Sequence, residues 1–481
     1  MQKENARRDE MGTRAIGPLL MATALPMMIS MLVQALYNVV DSLYVSRLSQ
    51  EALNAVSLAF PLQTLMIGVG IGTAVGTNAM LSRYLGAKQP LEAERSANTG
   101  VFLSVVTSLV FAVIGLMFSG FYFRSINSPS LKAAALIADE AARLAEEARV
   151  QKIIDYGTSY CTVCLCFSMG FFLQSTFERM LTATGRSRLA MLCQVCGAVT
   201  NIILDPVFIF GVDSLGIPAL EVTGAAVATV TGQFVAGGLA LVFVLAKVKE
   251  VRLDVKKMRW HGPTVKQIYK IGLPSIIMQC VGSVMNYLMN LILISFTDTA
   301  TAFFGIYYKL QSFIFMPVFG LNSGMVPIIS YNYGARKPDR LWKTVKYAVA
   351  ISMSIMTVGM LLFEIMPEVW LGLFQASDDL LSIGRVGLRI IAATFPVAGF
   401  CIIVGSVFQA VGNPAHSMLV SIFRQLLVLL PAAWLFGRLW GLDAVWISFP
   451  VAEVVSLAAS IVFLLRTIKS IRAQMEQPGP Q

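Results

Sequence analysis

The sequence has few charged residues and only two histidines. Charged side chains make up 13% of the 481 residues, about half the share in an ordinary soluble protein, whereas hydrophobic residues make up 56% and the mean hydropathy is +0.70. The seven cysteines are too few and too scattered for a disulfide framework. Apolar runs of about 20 residues, long enough to cross a bilayer, recur along the chain. These features exclude a water-soluble fold and predict an all-α membrane protein.

The apolar runs predict about twelve transmembrane helices. We place them at residues 15–45, 53–83, 95–122, 153–180, 187–211, 222–247, 267–296, 301–331, 342–365, 383–410, 414–437 and 442–466. Lys and Arg concentrate in alternate loops, which is typical of the cytoplasmic side of a membrane protein. We therefore expect a multi-pass protein of the inner (plasma) membrane with cytoplasmic tails at 1–14 and 467–481. Because the net charge of +10 is spread over these loops and not gathered in one basic patch, no nucleic-acid partner is predicted.

The second half of the sequence repeats the first. Pro26 matches Pro274 and Asn38 matches Asn286, each pair 248 residues apart. A six-helix period with both ends of each half on the same side indicates a parallel repeat. We predict two pseudo-symmetric six-helix lobes, at residues 15–247 and 267–466. A cytoplasmic linker at residues 248–266 joins them.

A segment of the first half has no counterpart in the second. The offset falls to 227 between Gly185 and Gly412, which leaves 21 residues over. They are Lys132 to Lys152, rich in the helix formers Ala, Glu and Arg. We expect this insertion, engineered or natural, to extend the fourth helix into water on the outer side, capped at Ser128-Pro129, without any part in the chemistry.

Two carboxylates stand inside predicted spans, where an ionisable group is costly and indicates function. Asp41 and Asp205 fall in the outer halves of the first and fifth spans, so they could meet. Their oxygens are suitable ligands for Na⁺, and a desolvated carboxylate pair equally favours binding of a proton. The alternative is a structural role, in which each Asp caps a helix end. The predicted cation site comprises Asp41, Asn201, Asp205 and Thr223, with Gln34, Tyr37 and Asn38 as supporting cavity residues.

The second half has no carboxylate at the positions that match Asp41 and Asp205, so the coupling site is predicted in the first lobe only. Arg424 and Glu453, near mid-depth on consecutive helices, predict a structural ion pair. Soft methionines near helical spacing suit a substrate cavity, and ordinary packing is the alternative. Lys309 could repel or position a substrate, or pair with a carbonyl. The candidate substrate-cavity residues are Gln63, Met278, Met285, Met289, Lys309 and Gln311.

The stretches Pro26–Asp41, Asn201–Pro206 and Tyr331–Ala335 resemble the MATE (multidrug and toxic compound extrusion) transporters, and most closely their DinF-like bacterial branch. The resemblance covers nearly everything except the tails and residues 132–152. It implies twelve helices in two six-helix lobes that export cationic or amphipathic organic compounds against Na⁺ or H⁺ entry. We also expect a monomer in lipid, with no cofactor other than the coupling ion. It also supports the cation site given above.

Two other functions remain as alternatives at this point. A flippase for lipid-linked saccharides shares the two-lobe repeat, but it is expected to have a larger charged cavity and often extra helices. A polytopic membrane enzyme is disfavoured because the sequence offers no nucleophile–base set and no metal-binding signature.

Deletion of Lys132 to Lys152 tests the insertion. Since the segment has no repeat partner, the shortened protein should fold and transport nearly as well as the full chain. Expression level and the initial rate of transport in vesicles measure this. Loss of transport in a well-expressed deletion variant would show that the segment is required.

Overall fold

The computed structural model describes residues 10–137, 139–212, 216–374 and 377–476. Within these ranges the regular structure is helical, and the β-type pairing consists of one isolated bridge between Val212 and Ile217. Helices dominate because a backbone in lipid must satisfy its own N–H and C=O groups. The all-α prediction is confirmed. Residues 1–9 and 477–481 of the predicted tails lie outside the described residues.

In the described ranges, ten helices are long and apolar enough to cross a membrane, and two bent helix pairs bring the number of spans to twelve. The bends are 44° between α4a and α4b and 48° between α10a and α10b. The spans are α1 (Ile16–Leu48), α2 (Gln50–Gly86), α3 (Pro90–Ala134), α4a (Glu140–Cys166), α4b (Met169–Ala183), α5 (Ser187–Phe210), α6 (Glu221–Lys247), α7 (Gly262–Ile294), α8 (Asp298–Gly334), α9 (Pro338–Ile365), α10a (Asp378–Ala392), α10b (Phe395–Ala410), α11 (Pro414–Trp440) and α12 (Ser448–Glu476). A short helix at Glu10–Thr13 precedes α1. Short helices at Pro367–Gly372 and Leu442–Val445 and a 3-10 turn at Val255–Lys257 lie between later spans.

The helices of the two halves begin and end at matching residues. Both ends of α2 and α8 differ by 248, and α5 and α6 start 227 residues before α11 and α12. Even the caps correspond. Ser49 Oγ accepts a hydrogen bond from Ala52 N at 3.1 Å, and Thr297 Oγ1 accepts one from Thr299 N at 3.2 Å. The two lobes therefore repeat in local structure as well as in sequence.

The insertion is shared between two helices. α3 runs through Ser128 and Pro129 to Ala134, and α4a begins at Glu140, where the Asp139 carboxylate accepts a hydrogen bond from Ala141 N at 3.0 Å. The predicted cap at Ser128-Pro129 and the assignment of the whole segment to the fourth helix are wrong. The Ala-rich sequence after Pro129 favours helix strongly enough to continue α3 past a proline that removes one backbone bond.

The end of α3 and the start of α4a form a helical hairpin, and the base of this hairpin contacts the first lobe. Arg149 Nε lies 3.5 Å from the Glu51 carboxylate at the start of α2. Just beyond the insertion, the Tyr156 hydroxyl donates to Glu221 Oε2 at 2.7 Å at the start of α6. Both acidic partners are exposed or half-buried, so the ion pair contributes little to stability.

Each lobe packs against the first helix of the other. α1 lies along α8, and α7 lies along α2. Matched glycines permit this: a Cβ on Gly320 would lie 2.4 Å from Met28 Cα, and one on Gly72 would lie 2.4 Å from Ile276 Cγ1. Since both the glycines and their partners are 248 residues apart, an approximate two-fold axis relates the two contacts.

The closest approach of the lobes joins the C-terminal ends of α2 and α8. A Cβ on Gly86 would lie 2.0 Å from the Tyr331 carbonyl oxygen, and a Cβ on Gly334 would lie 2.0 Å from the Arg83 carbonyl oxygen. These pairs are also related by the 248-residue offset. We call them the glycine seam. It closes the lobes against each other at the side that the basic loops predict to be cytoplasmic.

Substitution in the glycine seam should destabilise this arrangement. In Gly334→Val the new side chain would collide with backbone that cannot turn aside, and we expect a loss of about 1–3 kcal/mol in the free energy of unfolding. The thermal unfolding midpoint in detergent measures the effect. Gly305→Val on the same helix is the matched control, because no atom of the described part of the chain lies within 4 Å of its Cβ position. Equal midpoints for the two variants would contradict close contact at the seam.

Candidate functional site

The structure brings the two intramembrane carboxylates together inside the first lobe. α1 and α5 pack against each other, and Asp41 on α1 lies within electrostatic reach of Asp205 on α5. The Tyr37 hydroxyl, one turn before Asp41, lies near both carboxylates. The site is therefore built across two helices that are distant in sequence.

Asn201 connects the site to α6. Its Nδ2 donates to Asp205 Oδ1 at 3.2 Å and to Thr229 Oγ1 at 3.3 Å. Asp205 is completely buried, and Asn201 is only 3% exposed. The amide nitrogen of Asn201 is thus fixed by two acceptors on two helices, and its amide oxygen takes no part in these two hydrogen bonds.

Three buried oxygens at this site have no hydrogen-bond donor among the residues that the structure describes. They are Asp41 Oδ1, Asn201 Oδ1 and Asp205 Oδ2. Leaving a buried acceptor without a partner costs about 1–3 kcal/mol, and more when the group is charged. Carboxylate and amide oxygens are hard ligands that suit Na⁺, and a proton on one carboxylate would supply a donor instead. The residues present therefore fit either coupling cation.

The hydroxyl beside Asn201 belongs to Thr229, which sequence analysis missed. Thr223, the predicted ligand, lies six residues earlier on α6, about 9 Å along the helix axis. The register explains the shift. Gly224 faces the Phe208 carbonyl near the end of α5, so Asn201, seven residues before Phe208, faces the second and third turns of α6. α5 and α6 are antiparallel neighbours, so counting residues along both helices from their connection could have predicted that Thr229 faces Asn201.

The supporting polar residues extend the site toward other helices of the first lobe. Gln34 Oε1 accepts a hydrogen bond from Gln194 Nε2 at 2.8 Å. Gln63 Nε2 donates to the Tyr160 hydroxyl at 3.1 Å, and Tyr160 is within electrostatic reach of Asp41. Gln63 thus joins the polar network around the carboxylates. The side chain of Asn38 is exposed.

The second lobe contains the predicted ion pair. Arg424 donates to Glu453 Oε1 at 2.7 Å. Arg424 stands in a π-helical stretch, Phe423–Leu429, that interrupts α11. Neither side chain is fully exposed, at 26% and 13%, so removal of one partner would leave a partly buried charge unpaired.

The candidate substrate-cavity residues have different environments in this conformation. Met285 and Met289 are 6% and 0% exposed within the core of the second lobe, which fits the packing alternative. The Met278 sulfur accepts a hydrogen bond from Ser417 Oγ at 3.3 Å, whereas Lys309 is exposed and Gln311 is half-buried. Cavities of about 230 Å³ beside Leu62 and Tyr122, and about 460 Å³ beside Ser295 and Trp434, are lined by other residues.

Two parallel six-helix lobes, the first of which contains a buried carboxylate site, define a polytopic membrane transporter. Residues 26–207 and 274–435 each match the MatE family model, so the match occurs once in each lobe. The chain belongs to the MATE family.

Its relatives and structural neighbours cover almost the whole chain. The multidrug export proteins MepA of Staphylococcus haemolyticus and Staphylococcus aureus are each 26% identical over 450 residues, with 93% of both chains covered. An outward-facing multidrug resistance MATE transporter of the MOP superfamily superposes with a TM-score of 0.85 at 24% identity, over 96% of this chain and 99% of the other. A MOP superfamily transporter from Pyrococcus furiosus gives 0.83 at 24% identity, over 94% and 96%. These structures establish the fold, and the DinF-like branch stays a prediction.

Thr229→Val and Thr223→Val test which hydroxyl serves the site. Valine keeps the shape of threonine and removes the oxygen. We expect Thr229→Val to weaken the apparent affinity for the coupling cation about fivefold, from the loss of about 1 kcal/mol, and Thr223→Val to leave it near the wild-type value. The half-saturating cation concentration for transport in vesicles measures both. The reverse order would restore Thr223 as the ligand.

Proposed function

We propose that this protein is a secondary antiporter that exports cationic or amphipathic organic compounds and is driven by entry of Na⁺ or H⁺. The observation that carries the proposal is the group of three unpartnered, buried oxygens of Asp41, Asn201 and Asp205. The similarity of this chain to proteins named multidrug export proteins supports organic compounds as the class of substrate. Family membership favours transport over the flippase and over the membrane enzyme.

Repulsion between the carboxylates supplies the switch. Two like charges in a medium of low dielectric constant repel each other unless a cation or a proton neutralises them. Because Asp41 and Asp205 lie on different helices, occupancy of the site changes how α1 packs against α5. The same α1 lies along α8 of the second lobe, so this change reaches the interface between the lobes.

Antiport requires opposite preferences of the two ligands. A ligand shifts a conformational equilibrium only as far as its affinities for the two states differ. The cation must therefore favour the state that releases the organic compound outward, and the compound must favour the other. Competition for the charged first-lobe site meets this requirement.

The remaining features of the protein fit a monomer in the plasma membrane with cytoplasmic termini. Apolar side chains such as Leu116 and Phe121 on α3 are 71% and 69% exposed, which suits contact with lipid tails. Basic loops face the cytoplasm under this arrangement. Beyond the coupling ion, the proposed cycle uses no cofactor and no nucleic-acid partner.

Neutralising the carboxylates should uncouple transport. In Asp41→Asn and Asp205→Asn the shape is kept and the charge is lost, so efflux driven by a cation gradient should stop even where the organic compound still binds. If the two residues act as one unit, the double variant should be no worse than either single one. Efflux from vesicles under separately imposed Na⁺ and pH gradients measures this and identifies the coupling ion.

The matched control is Asp298→Asn, which removes an exposed carboxylate at the start of α8. It should transport normally. Wild-type rates in Asp41→Asn would dismiss the proposed site. Additive losses in the double variant would show two independent sites in place of one.

A further inference from the structure

The segment that precedes α1 is bound by the second lobe. Arg340 at the start of α9 donates from Nη2 to the Met11 carbonyl at 3.1 Å and to the Arg14 carbonyl at 2.7 Å. Lys337 Nζ donates to the Gly12 carbonyl at 2.9 Å. Hydrogen bonds from charged donors are stronger than neutral ones. The backbone of residues 11–14 is therefore held by side chains that lie far away in the sequence.

Asn332 completes this attachment. The residue is fully buried, and its Nδ2 donates to the Met11 carbonyl at 3.1 Å and to the Ile328 carbonyl at 2.8 Å. Its Oδ1 accepts from Arg340 Nε at 3.2 Å. Asn332 and Arg340 thus orient each other and share one acceptor on the N-terminal segment.

The same segment also contacts the first lobe. The Met11 side chain is 6% exposed, and its Cε lies 3.4 Å from the Cβ position of Gly185, in the loop between α4b and α5. Residues 10–14 consequently lie between the lobes, with backbone groups bound to one and an apolar side chain packed on the other. Their position is next to the glycine seam, since Asn332 and Gly334 are neighbours on α8.

The linker before α7 is held in an analogous way. Asn98 on α3 is fully buried, and it donates from Nδ2 to the Arg252 carbonyl at 2.9 Å and accepts from Asp254 N at 2.9 Å. Lys257 pairs with Glu94 at 2.7 Å. The segment leading into the first helix of each lobe is thus bound by the opposite lobe, although the binding residues differ.

α1 itself connects the two lobes along its length. Its cytoplasmic half, with Leu19 and Leu20, packs in a hydrophobic core of the second lobe. Its outer half belongs to the first lobe, where Gln34 bonds to Gln194. If the lobes part at the cytoplasmic side, either the N-terminal segment leaves the second lobe or α1 deforms between these two halves.

We propose that residues 10–14 form a latch whose attachment to Asn332, Lys337 and Arg340 holds the cytoplasmic face closed, and that detachment of the latch is a step in opening that face. The latch acts on the equilibrium between conformations, so the proposal holds whichever compound or cation the protein transports. It assigns a function to a network that lies away from the carboxylate site.

Distances between spin labels at the cytoplasmic face test the latch. Leu91→Cys and Asp339→Cys place labels at exposed, repeat-related positions at the starts of α3 and α9, in a protein whose native cysteines have been replaced. Arg340→Ala, introduced into the labelled full-length protein, should raise the fraction of molecules with a long distance by about fivefold or more. The measurement needs neither a substrate nor a gradient, so it is independent of the proposed transport function.

Two further variants make the result decisive. Deletion of Gln2 to Gly12 removes most of the latch and leaves the second lobe unaltered, so it should raise the long-distance fraction even if Arg340→Ala fails to fold. Arg385→Ala, which breaks an exposed ion pair with Glu368, is the control and should leave the distances unchanged. Wild-type distances in both latch variants would overturn the proposal, as would an equal increase in Arg385→Ala.

Discussion

Close backbone contact between α2 and α8, and between each of them and the first helix of the opposite lobe, decides how the two lobes can move. The contact depends on glycines with repeat-related partners, so a bulkier residue at Gly86 or Gly334 would meet a carbonyl group directly. Packed interfaces of this kind are bistable and not gradually deformable. Opening of the lobes at this side, which the basic loops predict to be cytoplasmic, therefore requires separation of the whole seam. Each contact between the lobes at this side adds to the free energy that separation of the seam requires.

The carboxylate site lies outside the glycine seam, but α1 connects the two regions. Asp41 belongs to α1, whose N-terminal half is part of the second-lobe core. Neutralisation of Asp41 and Asp205 changes the forces between α1 and α5, and α1 carries that change across the lobe boundary. In the second lobe, Arg424 lies 2.7 Å from the Glu453 carboxylate, so these two charges compensate each other. In the proposed mechanism the cation response therefore belongs to the first lobe.

The insertion and the latch illustrate two different uses of polar sequence at the membrane surface. The hairpin formed by the ends of α3 and α4a contacts its own lobe through the partly exposed Arg149–Glu51 ion pair and through buried Val150. Because both contacts lie within one lobe, they do not restrain movement between the lobes. The latch, in contrast, uses buried groups such as Asn332 and connects both lobes. Burial makes the hydrogen bonds of Asn332 costly to leave unsatisfied, and on this ground we propose that a segment of five residues influences a large conformational change.

The sequence by itself predicted about twelve spans, the two-lobe repeat, the length of the insertion and the possibility that Asp41 and Asp205 meet. These follow from constraints that act locally, because a segment in lipid must be apolar and helical and a charge within it is conspicuous. Only the tertiary structure decided that Thr229 stands beside Asn201, that Met285 and Met289 pack in the core, and that α3 continues past Pro129. Each of these depends on which face of a helix meets which neighbour, and on helix register. Local periodicity does not specify either, since lipid-facing and core-facing positions of a membrane helix are equally apolar.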